Sequence, residues 1–151
     1  MKISDFLAPA DVVIDMRAPN KQQLLQDLAR KAAASLGLQA DYVASELLKR
    51  EQLGSTGMGN GVAIPHARLP VVKRPYGLVA RLKPPVDFDA IDGRPVDLVF
   101  LLLLPPPPEA DQLTALALVA RTLKAAGMLE RMRRAKSASD FFATVTGEVW
   151  V

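Results

Sequence analysis

The spacing of apolar residues changes several times along the chain, and each change predicts an element. Val12, Val13 and Ile14 form a short β-branched run that suits a strand, and it ends near Pro19-Asn20, a break followed by a helix cap. From there Leu24, Leu25, Leu28, Ala32 and Leu36 recur at intervals of three and four, which predicts one apolar stripe on a helix that Gly37 can close. A second helix is predicted with Asp41 as its N-cap and Val43 and Leu47 on one face.

Extended structure is expected next at Val62-Ala63-Ile64, because Pro65 disfavours helical geometry in the residue before it. Residues 77–82 read as another strand, and Val96 to Leu104, apolar on both faces apart from Asp97, as a central one. That apolar run covers roughly nine positions against the ~20 that a membrane helix needs. Pro105 to Pro108 then stop the strand, since proline cannot donate to a ladder. Four prolines have the form of a ligand motif, but between a buried strand and a helix they suit a stiff connector better. Residues 111–125 predict a helix with Leu113, Leu116, Ala117, Ala120 and Leu123 inward, followed by shorter helices at 127–134 and 138–145. Ser137 and Asp140 supply a capping box for the last of these. Strands and helices alternate without a repeat or a linker. The expectation is a single α/β domain over residues 1–151, a sandwich with a mixed sheet of about five strands covered by helices.

Composition narrows the function classes. At 151 residues, half of them hydrophobic, the chain can bury about two-thirds of its unfolded surface without disulfide or metal staples. Nineteen Lys and Arg against 16 Asp and Glu give a net charge of +3 that is spread along the sequence. Such an excess permits an acidic partner protein, but without a basic block or interleaved aromatics it argues against nucleic acid. The absence of cysteine excludes disulfides and thiolate metal sites. Aspartates in MKISDFLAPADVVID interrupt the stretch that a secretory signal would need to be apolar, so a cytoplasmic protein with no membrane insertion is expected.

The candidate chemistry lies in EQLGSTGMGNGVAIPHARL, residues 51–69, which holds four of the nine glycines and the only histidine, His66. The P-loop pattern fails there, because Gly54 is followed at the required distance by Gly59-Asn60 instead of Gly-Lys. The dinucleotide fingerprint fails as well, since Gly57, Gly59 and Gly61 alternate and lead into an extended segment. Asp87, Asp89, Asp92 and Gly93 resemble a calcium loop only partly, with Leu98 standing where the bidentate Glu belongs, and a turn at Asp92-Gly93 fits better. With no second histidine and no cysteine, neither a metal site at His66 nor a cofactor is expected.

His66 is then either a satisfied polar residue at a strand end, with the glycines forming a tight loop, or a reactive group. Glycines bring backbone N–H groups close to an anion, Ser55 and Thr56 add hydroxyl donors, and Pro65 stiffens the backbone that presents the ring. Arg50, three after Leu47, projects near the buried stripe of its helix; it could reach water, pair with a carboxylate or hold a phosphate in two bonds. A phosphohistidine unites these features: neutral imidazole has a lone pair near pH 7 and the donors stabilise the transferring oxygens. A hydrolase with His66 as general base ranks lower, because no nucleophile or paired carboxylate accompanies it.

The stretch LLKREQLGSTGMGNGVAIPHARL, residues 47–69, resembles the enzyme IIA domains of the bacterial phosphotransferase system, in the fructose/mannitol class and closest to its nitrogen-regulatory type. The likeness continues through PVDFDAIDGRPVDLVFLLLLP and LLERMRRAKSASDFF. The resemblance implies that His66 accepts a phosphoryl group from a histidine phosphocarrier protein of the HPr or NPr kind. It further implies that Arg50 supports the phosphorylated ring, that Ser55, Thr56 and Gly57 shape the pocket, and that regulatory target proteins are the other partners. Many relatives carry a second histidine where Gln112 precedes Leu113 here; glutamine can donate and accept hydrogen bonds but cannot become cationic. That difference argues against the alternative of sugar-system transfer to a separate IIB domain. It also keeps open a non-catalytic binding module that acts unphosphorylated. Arg131, Arg133, Arg134 and Lys136 fit a solvated helix face, or contact with an acidic partner.

Overall fold

A computed structural model describes residues 1–106 and 110–147, apart from the side chains of 110–114. The predicted mixed α/β sandwich is present, with six strands instead of about five. After a 3-10 turn at Ile3–Asp5 come β1 (Leu7–Met16), α1 (Lys21–Leu36), α2 (Ala40–Gln52), β2 (Gly57–Gly59), β3 (Val62–Ala63), β4 (His66–Arg68), β5 (Tyr76–Val86) and β6 (Val96–Leu104). Three helices, α3 (Ala110–Lys124), α4 (Met128–Arg134) and α5 (Ala138–Thr146), complete the described chain.

The sheet order is β1-β5-β6-β3-β2, and β4 also pairs with β6. β6 is parallel to β3 and β4 but antiparallel to β5, while β1 runs parallel to β5. This placement explains the continuous apolar run of β6: it has neighbours on both edges, and its side chains from Leu98 to Leu104 are buried. One apolar cluster packs α1 and α2 on one face, through Leu24, Leu25, Leu28, Val43 and Leu47 against Leu78, Val99, Leu101 and Leu103. A second packs the C-terminal helices on the other face, through Ala115, Val119, Met132 and Phe141 against Leu98, Phe100 and Leu102.

Helix ends follow the local chemistry, with one correction. Asn20 caps α1 by accepting the Gln23 N–H at 2.8 Å, and Gly37 closes it in left-handed geometry at φ 69°. Asp41 is not the N-cap of α2; Gln39 holds that position without a side-chain bond, and Asp41 lies in the first turn, where its charge still favours the helix dipole. Ser137 caps α5 by accepting the Asp140 N–H at 3.0 Å, and Asp140 accepts from Lys136 N at 3.1 Å. The inward face of α3 agrees with the predicted one at Leu123, which is buried, and at Leu116 and Ala120, which pack partly buried on the core, but Ala115 and Val119 are also buried and Ala117 is exposed. The side chain of Leu113 lies outside the described residues, as do Pro107 and Pro108.

Two arginines tie the C-terminal helices to the sheet. Arg81 of β5 donates to the carbonyls of Met132, Arg133 and Ala135 at 3.0, 3.3 and 2.7 Å, and its other Nη reaches Asp15 at 3.3 Å. These are carbonyls at the end of α4, where helix bonding runs out; the Met132 oxygen also accepts the Ala135 N–H at 3.4 Å. Arg133, one of the four cations expected on a solvated face or against a partner, instead holds Asp97 at 2.8 and 2.9 Å and the Asn60 carbonyl at 2.6 Å. Among the described residues, no helix is long and apolar enough to cross a membrane.

Candidate functional site

β3 and β4 run along the same edge of β6, one after the other, with Pro65 between them. The Leu102 N–H donates to the Pro65 carbonyl and the Leu69 N–H to the Leu104 carbonyl, both at 2.9 Å, so the backbone on either side of His66 is fixed to the most buried strand. Within β4, Ala67 turns into the core while His66 stays half-buried and Arg68 exposed, as period-two alternation requires. Rigid support of this kind is what a reactive side chain needs to keep its orientation.

The imidazole is held in one tautomer. Its Nδ1 lies 2.8 Å from the Ile64 carbonyl oxygen. A carbonyl can only accept, so Nδ1 carries the proton and the lone pair is left on Nε2. Burial lowers the pKa of His66 below its ordinary value; the Ile64 carbonyl opposes this, the Arg50 charge adds to the lowering, Glu51 opposes it and Arg68 adds to it. The ring is therefore neutral at pH 7.

Two adjoining clefts meet at His66. One is bordered by Lys49, Arg50, Leu53, Arg68 and Leu116, the other by Arg50, Ser55, Thr56, Gly57, Met58 and Ala120. Arg50 and His66 border both. Arg50 stands in the last turn of α2, and its Nη1 donates to the Gly54 carbonyl at 2.8 Å. It thus bridges the helix to the glycine-rich segment beside the imidazole. Leu53, 85% exposed, forms an apolar knob on the rim.

Ser55, Thr56 and Gly57 line the second cleft, but the hydroxyl protons of Ser55 and Thr56 are directed into the protein. Ser55 Oγ donates to the Phe88 carbonyl at 2.7 Å and accepts the Gly57 N–H at 3.0 Å. Thr56 Oγ1 donates to Glu51, whose carboxylate also accepts the Thr56 N–H at 3.2 Å. Their part is to shape the backbone of the pocket wall. Gln112 lies in α3, the helix that contributes Leu116 and Ala120 to the clefts, but its side chain is outside the described residues.

The pocket wall has little slack at Gly57. A Cβ there would lie 2.9 Å from both Cα and Cβ of Ala90 and 3.2 Å from Ser55 Oγ. Gly57→Ala is expected to push the 88–92 loop outward, at a cost of about 1–3 kcal/mol. Thermal unfolding should show a fall of at least about 2 °C, by the usual scaling for a chain of this size.

Glu51 is the residue beside the site that the sequence reading did not single out. It is buried, and Lys21 Nζ meets it at 2.8 Å. The signal was present: Val43, Leu47 and Glu51 are spaced by four, so the buried stripe of α2 runs into Glu51 and leaves Arg50 beside it at the rim.

Comparison with known proteins agrees with this architecture. Residues 5–147 match the family model for the phosphoenolpyruvate-dependent sugar phosphotransferase system, EIIA 2. A nitrogen regulatory protein of Bradyrhizobium diazoefficiens is 43% identical over 145 residues, covering 96% of this chain and 95% of that protein. The crystal structure of nitrogen regulatory protein IIA-Ntr from Neisseria meningitidis superposes with a TM-score of 0.89 at 35% identity, covering 95% of this chain and 99% of that one. IIA mannitol from Escherichia coli, at 16% identity and a TM-score of 0.75 over 91% of this chain and 97% of its own, shares the fold. The histidine-bearing strand, the glycine-rich wall beside it and these likenesses over nearly the full length lead to one assignment: the chain belongs to the EIIA type 2 family of the phosphotransferase system, alongside its nitrogen regulatory members.

Proposed function

We propose that the protein is a regulatory phosphocarrier of the cytoplasm, accepting a phosphoryl group on His66 from a histidine phosphocarrier protein and binding its targets according to whether His66 is modified. The observation that carries this reading is the tautomer: the Nδ1–H bond to the Ile64 carbonyl leaves Nε2 as the nucleophile, in a pocket bordered by the Arg50 guanidinium, which donates to the Gly54 carbonyl. The Nε2 lone pair attacks the phosphorus of the donor's phosphohistidine. As the new P–N bond forms, the donor's P–N bond breaks and its electron pair returns to the donor's ring nitrogen. Positive charge that develops on the His66 ring is shared with the Ile64 oxygen through Nδ1–H, and Arg50 faces the charge on the transferring oxygens.

The rim on that side offers a donor protein the exposed Arg68 and the apolar Leu53, while Lys49 there is paired with Glu46 at 2.9 Å. The nitrogen regulatory names of the relatives support a signalling role over sugar uptake. Incubation with phosphoenolpyruvate, enzyme I and the phosphocarrier is expected to add one phosphoryl group, with a phosphorus NMR signal of an Nε2 phosphoramidate. His66→Gln should remove that signal entirely. A wild-type chain that stays unlabelled with an active donor system refutes the proposal, and equal capture of a target by both forms refutes its regulatory half.

A further inference from the structure

A line of hydrogen bonds runs from a buried ion pair to the imidazole. Lys21 Nζ meets the Glu51 carboxylate at 2.8 Å, and that carboxylate accepts both the Thr56 N–H and the Thr56 hydroxyl. The Thr56 carbonyl accepts the Ile64 N–H at 3.1 Å, and the Ile64 carbonyl accepts Nδ1–H of His66 at 2.8 Å. Thr56 and Ile64 are thus each held by both their amide and their carbonyl. The carboxylate is 5% exposed, and Lys21 is itself held over the Phe88 ring at 4.6 Å, with Asp89 at 3.7 Å. Every group that faces Glu51 is therefore fixed by more than one contact.

We infer that Glu51 is a positioning residue for phosphoryl transfer: through Thr56 and Ile64 it fixes the carbonyl that selects the Nδ1–H tautomer, and it sets the pocket wall that faces Nε2. The inference rests on the phosphocarrier reading for its kinetic consequence, but the tautomer can be read on the free protein. Burying the carboxylate costs desolvation, which the Lys21 ammonium and the two Thr56 bonds, one to each oxygen, offset. Its charge has a further effect here, because it opposes the lowering of the imidazole pKa by burial and Arg50 and so keeps Nε2 more basic. Geometry and charge act together on one atom.

Glu51→Gln keeps the size of the side chain and one acceptor but loses the charge and the second acceptor. Three readouts separate positioning from general support. Nitrogen-15 NMR of the free protein is expected to show a nearly pure Nδ1–H tautomer in the wild type. In Glu51→Gln the two tautomers should be mixed and the His66 titration midpoint lower. Rapid-quench transfer from the phosphocarrier should slow by about tenfold at saturating donor, with KM for the donor within about twofold because Lys49, Leu53 and Arg68 are untouched. Thr56→Val, which leaves the Lys21–Glu51 pair intact, is expected to give the same tautomer mixing and serves if Glu51→Gln does not fold. Wild-type spectra and rate in a folded Glu51→Gln protein overturn the inference, as does a loss that appears only in KM. Should the wild type itself accept no phosphoryl group, the transfer proposal falls, and the NMR comparison alone decides for or against Glu51.

Discussion

Replacing Arg50 with alanine should slow phosphoryl transfer to His66 by about 100-fold at saturating donor, the scale set by removing one charged donor from a developing oxyanion. Arg50 borders both clefts that meet at His66, and its charge is felt by the imidazole, whose pKa it helps to lower. Its single polar contact among the described residues is to the Gly54 carbonyl, and none of the described carboxylates pairs with it. During transfer the three phosphoryl oxygens carry the charge, and a planar guanidinium can bind two of them at once. Arg50→Lys supplies the charge without the second bond and should recover only part of the rate. Rapid-quench measurement with the phosphocarrier checks both variants. An alanine variant that transfers at the wild-type rate ends the assignment of Arg50. The phosphorylated form should also hydrolyse faster in Arg50→Ala, since the proposed contact of the guanidinium with the phosphoryl oxygens would be lost.

The largest stability effect outside the apolar core is expected at Arg81. Its side chain is 13% exposed, and one Nη serves three carbonyls at the end of α4 while the guanidinium carbon lies 5.9 Å from the Phe141 ring. Alanine would take this donor from the Arg133 and Ala135 carbonyls and leave the Met132 carbonyl with only the Ala135 N–H. Bonds from a charged donor contribute about 1.5–3 kcal/mol, and stripped buried acceptors add to the cost. A loss of about 3 kcal/mol is expected, which lowers the melting temperature by roughly 6–12 °C for a chain of this length. Arg81→Lys should lose less, because one ammonium can reach only part of the carbonyl set. Urea unfolding measures the difference directly. Arg81 touches no residue of the clefts at His66 except through the fold itself, so transfer by the folded fraction should stay near the wild-type rate. A melting temperature unchanged in Arg81→Ala rules out the capping role.

The elements that were legible in the sequence are those where one physical signal dominates. The stripe of α1 between Asn20 and Gly37 has clean spacing and both caps, and β6 is too apolar to be anything but a central strand. α3 was harder because LTALALVARTL offers leucine, alanine or valine at most positions, so several inward faces satisfy the same spacing. β2 and β4, three residues each, are too short to carry a period and exist only because β3 and β6 pair with them. At the site, His66, Arg50 and the glycine-rich wall could be read from residue type and neighbours. The hydroxyls of Ser55 and Thr56 could not be placed that way, since each is satisfied by a partner outside its own loop or at its base, Phe88 and Glu51. Glu51 could not be read from its own helix, because an acid on a buried stripe is explained only by Lys21, thirty residues away, which the fold brings to 2.8 Å from it.

The pocket has one wall from each side of the molecule. Arg50 hangs from the layer of α1 and α2, whereas Leu116 and Ala120 come from the opposite layer, and the two apolar clusters beneath them are separated by the sheet. The two layers therefore face each other across the end of β6, with the imidazole between them. The width of the cleft at His66 is set by how each layer seats on the sheet, so a substitution far from the histidine, under only one layer, is expected to alter it.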